Sequence, residues 1–344
     1  MCDLKDRLGL VAIARNEGQR LHQCLLSALK QVDRVVYVDS GSTDSSVELA
    51  RSLGVDVVEL DMSLPFTAAR ARNAGCHRLL EIYPDVEFVQ FVDGDCEVVE
   101  GWCDRALQEL EANPKMAVVC GRRRERFPEA SIYNQLCDME WDTPVGEAKY
   151  CGGDALMRVA AFQQVDGFNP TLIAGEEPEL CVRLRQNGWR IYRIEADMTL
   201  HDAQMMHFSQ WWKRSLRAGH AYAEGAWLHG RSPERHWVRE SRSIWLWGLG
   251  IPLVVLGTAW VTWGLSILFL LNYPLLFARI YYRKQQQGLT SQNAALYAVF
   301  CVLGKFSMFQ GQLQFHWNRL LGKRTRLVEY KNLTPTEVEH RVTS

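Results

Sequence analysis

Between Ile244 and Tyr282 the chain runs for 39 residues with no Asp, Glu or Lys and a single arginine, Arg279. A transmembrane helix needs about 20 consecutive apolar residues, so the stretch is long enough for two tight spans turning near Gly264 to Ser266. One long tilted helix or a re-entrant pair also fits that length. Trp237, Trp245 and Trp247 stand at its start and Tyr281 and Tyr282 at its end, where amphipathic rings favour a membrane interface. The competing reading is a buried hairpin inside a soluble domain.

Charge divides the rest of the 344 residues around this stretch. The formal net charge is −1, yet residues 1–230 hold 25 Lys and Arg against 35 Asp and Glu, and residues 231–344 hold 14 against 5. An acidic block repels a phosphate backbone over its long-range field, so nucleic acid is excluded as a partner and the basic block reads as membrane flanks. Arg231, Arg235, Arg239 and Arg242 precede the apolar stretch, and Arg283 and Lys284 follow it. A third apolar segment, residues 294–309, is interrupted by Lys305 and short for a span; it reads as an interfacial helix. A hairpin plus a surface helix keeps every basic cluster, including Arg319, Lys323, Arg324 and Arg326, on the cytosolic side, whereas a third full span exports the last. The expected organisation is a folded domain over 1–230, a basic juxtamembrane segment over 231–243, a transmembrane hairpin over 244–283, and an interfacial or third membrane helix with a basic tail over 284–344.

The opening MCDLKDRLGL has acidic residues and no long apolar core, so no signal peptide is expected and the acidic domain reads as cytosolic, at the plasma (inner) membrane. Ten cysteines show no C-x-x-C and no zinc-like pairing with histidine. They read as reduced, mostly buried thiols.

Within the acidic domain, apolar runs alternate with helical patterns. Gly9 to Ala14 predicts a strand, and Leu21, Leu25, Leu26 and Leu29 mark the helix after it. Arg34 to Val38 is the next strand, Ser45 to Leu53 a helix stopped by Gly54, and Val55 to Leu60 a third strand. A helix near Ala68 to Leu80 leads to a buried strand, Val86 to Val92. This alternation predicts an α/β fold with a mostly parallel sheet flanked by helices, whose ligand crevice lies at the carboxyl ends of the strands. Neither G-x-G-x-x-G nor G-x-x-x-x-G-K-[ST] is present, so dinucleotide oxidoreductases and P-loop NTPases lose their main support.

Asp93-Gly94-Asp95 follows the last of these strands directly. Two carboxylates one residue apart can converge on a hard cation, Mg2+ or Mn2+, that completes its shell with substrate phosphates; the same tripeptide also occurs as a plain turn. Asp39 ends the second strand, either as a turn residue or as a partner for a base or ribose. Asp44, just before Ser45-Ser46, suits a helix N-cap.

The runs VAIARNEGQRLHQCLLSAL, VVYVDSGSTDSS, AARARNAG and FVQFVDGDCEV, then CGGDALMRVAAFQQVDGF and IAGEEPELCVRLRQNGWRIYRI, resemble in order and spacing the family 2 glycosyltransferases of the GT-A fold. The resemblance covers residues 8–230, and the apolar tail with its closing GKRTRLVEYK resembles bacterial membrane-associated members that build surface polysaccharide or glycolipid. It implies that Asn16, Glu17 and Asp39 line the nucleobase and ribose pocket and that Arg72 and Asn73 lie near the nucleotide. Asp93 and Asp95 would hold the donor diphosphate through Mn2+ or Mg2+, with Asp95 the more direct ligand and His201 a further contact to the metal. Gly152, Gly153 and Asp154 would shape the sugar pocket. Where the family has Glu-Asp, this chain has Glu176-Glu177; Glu177 takes the place of the general base and Glu176 that of an orienting group. Glu179 reads as a helix-start charge.

Gln210-Trp211-Trp212-Lys213-Arg214 is similar to the Q-x-x-R-W of processive synthases but lacks its Arg-Trp ending, which favours transfer of a single sugar. The implied activity is inverting transfer from a nucleotide-sugar to a hydroxyl of a lipid-linked saccharide at a membrane surface. Two rivals are a polyprenyl-phosphate sugar transferase and a catalytically idle GT-A module. Arg122-Arg123-Arg124 and Arg126, which follow the apolar strand MAVVC, suggest a local anion or acceptor-phosphate contact.

Overall fold

The structure, a computed structural model, describes residues 4–323. Cys2, Arg324, Arg326 and most of the closing basic motif lie outside the described residues. Two compact units are present. The first comprises residues up to Pro128 together with Glu140–Ala203; the second comprises Glu129–Met139 together with the residues from Gln204 on. The first unit ends at Ala203.

The first unit opens with β1 (Leu8–Ala14), α1 (Gln19–Leu29), β2 (Val35–Asp39), α2 (Ser46–Ser52), β3 (Asp56–Glu59), α3 (Ala68–Ile82) and β4 (Phe88–Asp93). Strands β1, β2 and β4 are buried almost throughout, as their near-continuous apolar runs require of strands covered on both faces. Order β3-β2-β1-β4 is parallel. The sheet continues through β5 (Cys96–Val98), α4 (Trp102–Ala112), β6 (Met116–Glu125), α5 (Ile132–Trp141), which falls mainly in the second unit, β7 (Gly146–Glu147), β8 (Ala155–Arg158), α6 (Val159–Gln164), α7 (Glu176–Gln186) and β9 (Arg190–His201). Beyond β4 the order is β8-β6-β9-β5, with β7 beside β9. Strand β8 runs antiparallel to β4 and β6, and β5 and β7 antiparallel to β9, so the sheet is mostly parallel on one side and mixed on the other.

Packing explains the close fit of α3 against the sheet. A Cβ on Gly75 would lie 2.3 Å from Val11 Cγ1 and 2.8 Å from Val38 Cγ2, so only glycine lets the helix sit at this distance. Phe91, Phe162 and Phe168 form a cluster with centroids 5.4 Å apart. Each such pair adds about 0.5–1.5 kcal/mol beyond area burial, and the cluster underlies the site described below.

The second unit contains α8 (Phe208–His229), α9 (Val238–Trp245), a π turn over Leu246–Gly250, α10 (Ile251–Thr258), a turn at Gly264 with φ +84°, a 3-10 segment over Leu265–Leu271, α11 (Asn272–Gln286) and α12 (Ser291–Leu320). Gln210 is not placed as a synthase-type site residue. It is buried and caps α8, its Oε1 accepting from the amides of Met206 (2.8 Å) and His207 (2.9 Å). Helices α8 and α12 cross at two glycines: a Cβ on Gly219 would lie 2.0 Å from Met308 O, and one on Gly311 2.0 Å from Leu216 O.

The apolar segments differ from expectation in length. Among the described residues, two helical stretches are long and apolar enough to cross a membrane, Leu265–Gln286 and Ser291–Leu320. Residues 294–309, expected as a short surface helix, form the middle of the 30-residue α12. Thr290 caps its start by accepting from Asn293 N at 3.3 Å, and no Gly-Pro stop signal intervenes before Gly322. By contrast, the apolar arm from Ile244 to Thr258 covers only about 22 Å at 1.5 Å per residue, less than the roughly 30 Å hydrocarbon core.

Candidate active site

The site sits where β1, β2 and β4 end. Parallel registers that pair Ala14 with Asp39 and Ile13 with Asp93 bring the two strand-terminal acids to one edge of the sheet. Gly153 lies above this edge, and a Cβ there would stand 2.9 Å from both Arg72 Nη2 and Asp93 Oδ2 and 3.2 Å from Arg123 Nη2. Gly153 thus lies over the charged centre, as expected of a close-approach glycine. Gly152 takes φ +82° with open space where a side chain would project.

Arg72 is the centre of this group. Its Nη2 donates to Asp93 Oδ1 at 2.6 Å and its Nη1 to Glu176 Oε1 at 2.8 Å, while the guanidinium lies 5.5 Å from the Phe168 ring centroid. Burial opposes its charge, but Asp93, Glu176 and Asp154 more than restore it and raise its pKa. Arg123 completes the lattice: its Nη2 reaches Asp93 Oδ2 at 3.1 Å and Asp154 Oδ1 at 2.8 Å, and its Nε donates to Asp154 Oδ2 at 2.9 Å.

In this lattice each Asp93 oxygen is held by a guanidinium. Asp154 is fully buried, accepting from Asp93 N (3.0 Å), Thr199 Oγ1 (2.7 Å) and Arg123. It supports Arg123 and the backbone of Asp93 from beneath.

Asn73 Nδ2 donates to Phe168 O at 2.7 Å and its Oδ1 accepts from Phe168 N at 2.9 Å, so both ends of the amide fix the backbone at Phe168. Asp39 accepts from Tyr37 OH at 2.6 Å and from the amides of Gly41 (2.9 Å) and Ser42 (2.8 Å); it shapes its own loop, the turn role. Asn16, at φ +54°, ties that loop to β1, accepting from Thr43 N at 2.7 Å while its own amide donates to Ser42 Oγ at 2.9 Å. Glu17 is ion-paired with Arg20 at 2.5 Å.

Asp95 and His201 do come together. Pairing of Cys96 with His201 between β5 and β9 places His201 Nε2 3.2 Å from Asp95 Oδ2. Cys96 Sγ also lies within 4.8 Å of both; carboxylate oxygen with imidazole nitrogen suits Mn2+ well and Mg2+ less closely, so the Asp95 and His201 donors fit a resident divalent cation. Glu125, which β6 aligns with His201, lies 3.5 Å from His201 Nδ1 and also accepts from Ala203 N at 3.1 Å. Carboxylates behind a metal-facing histidine orient the ring. Glu125 was not singled out from the sequence, and Arg123 only as one of the basic run 122–126; the two stand at i and i+2 on β6, and that period-two spacing was the available signal. Arg122, Arg124 and Arg126 pair with Asp142, Asp197 and Glu97.

Helix α7 starts after Gly175 in the left-handed region, φ +79°, with Glu176, Glu177 and Glu179 in its first turn, where the helix dipole favours acids. Glu179 pairs with Arg183 at 2.7 Å. Glu177 is buried, its Oε1 accepting from Cys151 N and from Cys181 Sγ, the latter at 3.3 Å. Burial raises its pKa, and the bonds from Cys151, Cys181 and Gly152 hold it partly down.

The family model described as Glycosyl transferase family 2 matches residues 10–163, the segment that holds β1 to β4 and the Arg72–Asp93–Arg123 lattice. The chain carries a family 2 glycosyltransferase domain. A second model, described as the N-terminal domain of galactosyltransferase, matches residues 137–208 and takes in Glu176, Glu177 and His201. Over 175 residues the glycosyltransferase chain is 27% identical to the succinoglycan biosynthesis protein ExoA of Rhizobium meliloti (strain 1021), covering 47% of this chain and 52% of that protein. Over 210 residues it is 24% identical to the O-antigen chain rhamnosyltransferase RfbN of Salmonella typhimurium, covering 55% of this chain and 65% of that one. The chain spans about half to two thirds of the length of these curated relatives. Its fold is similar to that of a mannosyltransferase from Pyrobaculum calidifontis in complex with GDP-Man and Mn2+, with TM-score 0.57 at 14% identity over 91% of this chain and 88% of that one. The glycosyltransferase domain has the GT-A fold.

Proposed function

We propose that this glycosyltransferase transfers one sugar, with inversion, from a nucleotide-sugar to a hydroxyl of a lipid-linked saccharide in surface polysaccharide or glycolipid synthesis. The observation that carries the reading is the convergence, at the ends of β1, β2 and β4, of the Arg72–Asp93–Arg123 lattice with Glu176 on α7. Arg72 and Arg123 lie where the donor diphosphate enters and orient it. Asp95 and His201 hold Mn2+ or Mg2+, which when bound offsets charge on the diphosphate leaving group. Glu177 takes the proton of the acceptor hydroxyl as its oxygen bonds to the anomeric carbon and the bond from that carbon to the diphosphate oxygen breaks. Its raised pKa makes it a stronger base than an ordinary carboxylate, and the Cys151 amide fixes its aim. Glu176 positions Arg72.

The apolar helices anchor the chain at the cytosolic face of the plasma membrane. Two features favour lipid around residues 254–273. Trp260 and Trp263 are 93% and 96% exposed. The hydroxyls of Thr258, Thr262 and Ser266 also donate to the carbonyls of Val254, Thr258 and Val255 at 2.6–3.0 Å, meeting locally the polar groups that hydrocarbon cannot satisfy. With its first arm shorter than the hydrocarbon core, this hairpin enters and leaves on one side.

The test is nucleotide release from UDP-, GDP- and dTDP-sugars by purified full chain, with and without Mn2+ and membrane lipid extract, followed by the anomeric configuration of the product. Release from one donor class, dependent on metal and lipid and with inverted product, supports the reading. Retained configuration overturns the single displacement, and no release from any donor leaves an idle module.

A further inference from the structure

Cys151 and Cys181 lie 30 residues apart in sequence and meet in the core of the first unit. Cys151 directly precedes the Gly152-Gly153 loop, and Cys181 stands one helical turn along α7 from Glu177. Their Sγ atoms are 3.7 Å apart, Cys181 Sγ is 3.3 Å from Glu177 Oε1, and all three ligand atoms lie within 4.8 Å of one another. A tetrahedral zinc site with Zn–S near 2.3 Å and Zn–O near 2.0 Å has an S···S edge of about 3.8 Å and an S···O edge of about 3.5 Å. The two separations already match those edges to within about 0.2 Å.

We propose that Cys151, Cys181 and Glu177 form a binding site for a thiophilic divalent cation of the zinc type, separate in chemistry from Asp95 and His201. Two thiolates with one carboxylate select a soft cation, whereas an oxygen and nitrogen pair suits Mn2+ or Mg2+. As the metal–sulfur bonds form, each thiol releases its proton to solvent and the fourth position is left for water. The open space beside Gly152 lies on the loop that carries Cys151. A Glu177 carboxylate bound to a cation no longer accepts a proton from the acceptor, so occupancy switches transfer off. That consequence rests on Glu177 being the base; the binding itself does not.

Cobalt substitution tests the site without reference to activity. Full chain in detergent, reduced and stripped of metal, is titrated with Co2+, and the thiolate-to-cobalt charge-transfer band is followed. A band that saturates at one equivalent, bleaches on addition of Zn2+, disappears in Cys151→Ser and Cys181→Ser and persists in Cys96→Ser supports the proposal. No band in the wild type, or a band that survives both serine substitutions or is lost in Cys96→Ser alone, overturns it. Should the serine variants fail to fold, Glu177→Gln keeps both sulfurs and is expected to keep the band while weakening Co2+ affinity by at least roughly tenfold; unchanged affinity overturns the carboxylate's part. Zinc inhibition of transfer, reversed by a chelator, is measured separately. Cobalt binding without zinc inhibition leaves the site standing and removes Glu177 as the base.

Discussion

At the scale of single residues, the chemistry turns on which carboxylates are already engaged. Asp93 is held by two guanidiniums and Asp154 by Arg123, Thr199 and a backbone amide, and in the proposed reading Asp95 with His201 supplies the cation donors. Asp95→Ala is therefore expected to abolish metal-dependent donor turnover, measured as nucleotide release across a Mn2+ titration. Glu125→Gln, one contact removed, should raise the Mn2+ concentration for half-maximal rate by roughly 10- to 100-fold with little change in thermal stability. Glu177→Gln should remove transfer while donor affinity stays near normal. Because burial lifts the Glu177 pKa, the acid limb of kcat/KM against pH should lie above the ordinary carboxylate value of about 4.3. Activity falls as pH drops through that limb, since a protonated carboxyl accepts no proton, and a limb at or below that value counts against Glu177. The acids that matter were legible in the sequence as strand-end and helix-start residues. Their division into supports and donors was not, because Asp154 and Arg123 meet across a sheet from positions 31 residues apart.

At the scale of elements, strands β1 to β4 and helices α1 to α3 follow from alternating apolar and helical periods, and they appear within a few residues of the expected spans. The mixed half of the sheet was hidden, because β7 and β8 are two and four residues long and carry too few residues for a period to show. The extent of α12 was also hidden: its flanks are polar enough to look like tail, yet they pack on α8. The double glycine crossing makes a direct prediction. Gly219→Val or Gly311→Val places carbon atoms inside the partner backbone and should destabilise the second unit by about 1–3 kcal/mol or more, seen as a lowered melting temperature in detergent. Unchanged melting would mean that the two helices do not pack there.

At the scale of the whole molecule, the proposed anchor has basic flanks and an apolar hairpin that would hold a membrane by different forces, and salt separates them. Near 1 M salt the screening length is about 3 Å, so attraction of arginines to anionic headgroups is lost while apolar insertion persists. The full chain is expected to remain with liposomes through a high-salt wash, and a variant with Trp260 and Trp263 both changed to Ser should wash off at least in part; equal retention of the two would place the anchor elsewhere. The order of strands has a further consequence, for the timing of synthesis. Strand β9 is the last to be made, yet it lies inside the sheet between β6 and β5, and β5 pairs with no other strand. While a ribosome has yet to reach residue 201, β5 is an orphan edge and half of the proposed cation donor pair does not exist. A chain interrupted between β4 and that point can complete the parallel half of its sheet, yet under the proposed function it is inert until the whole first unit has been translated.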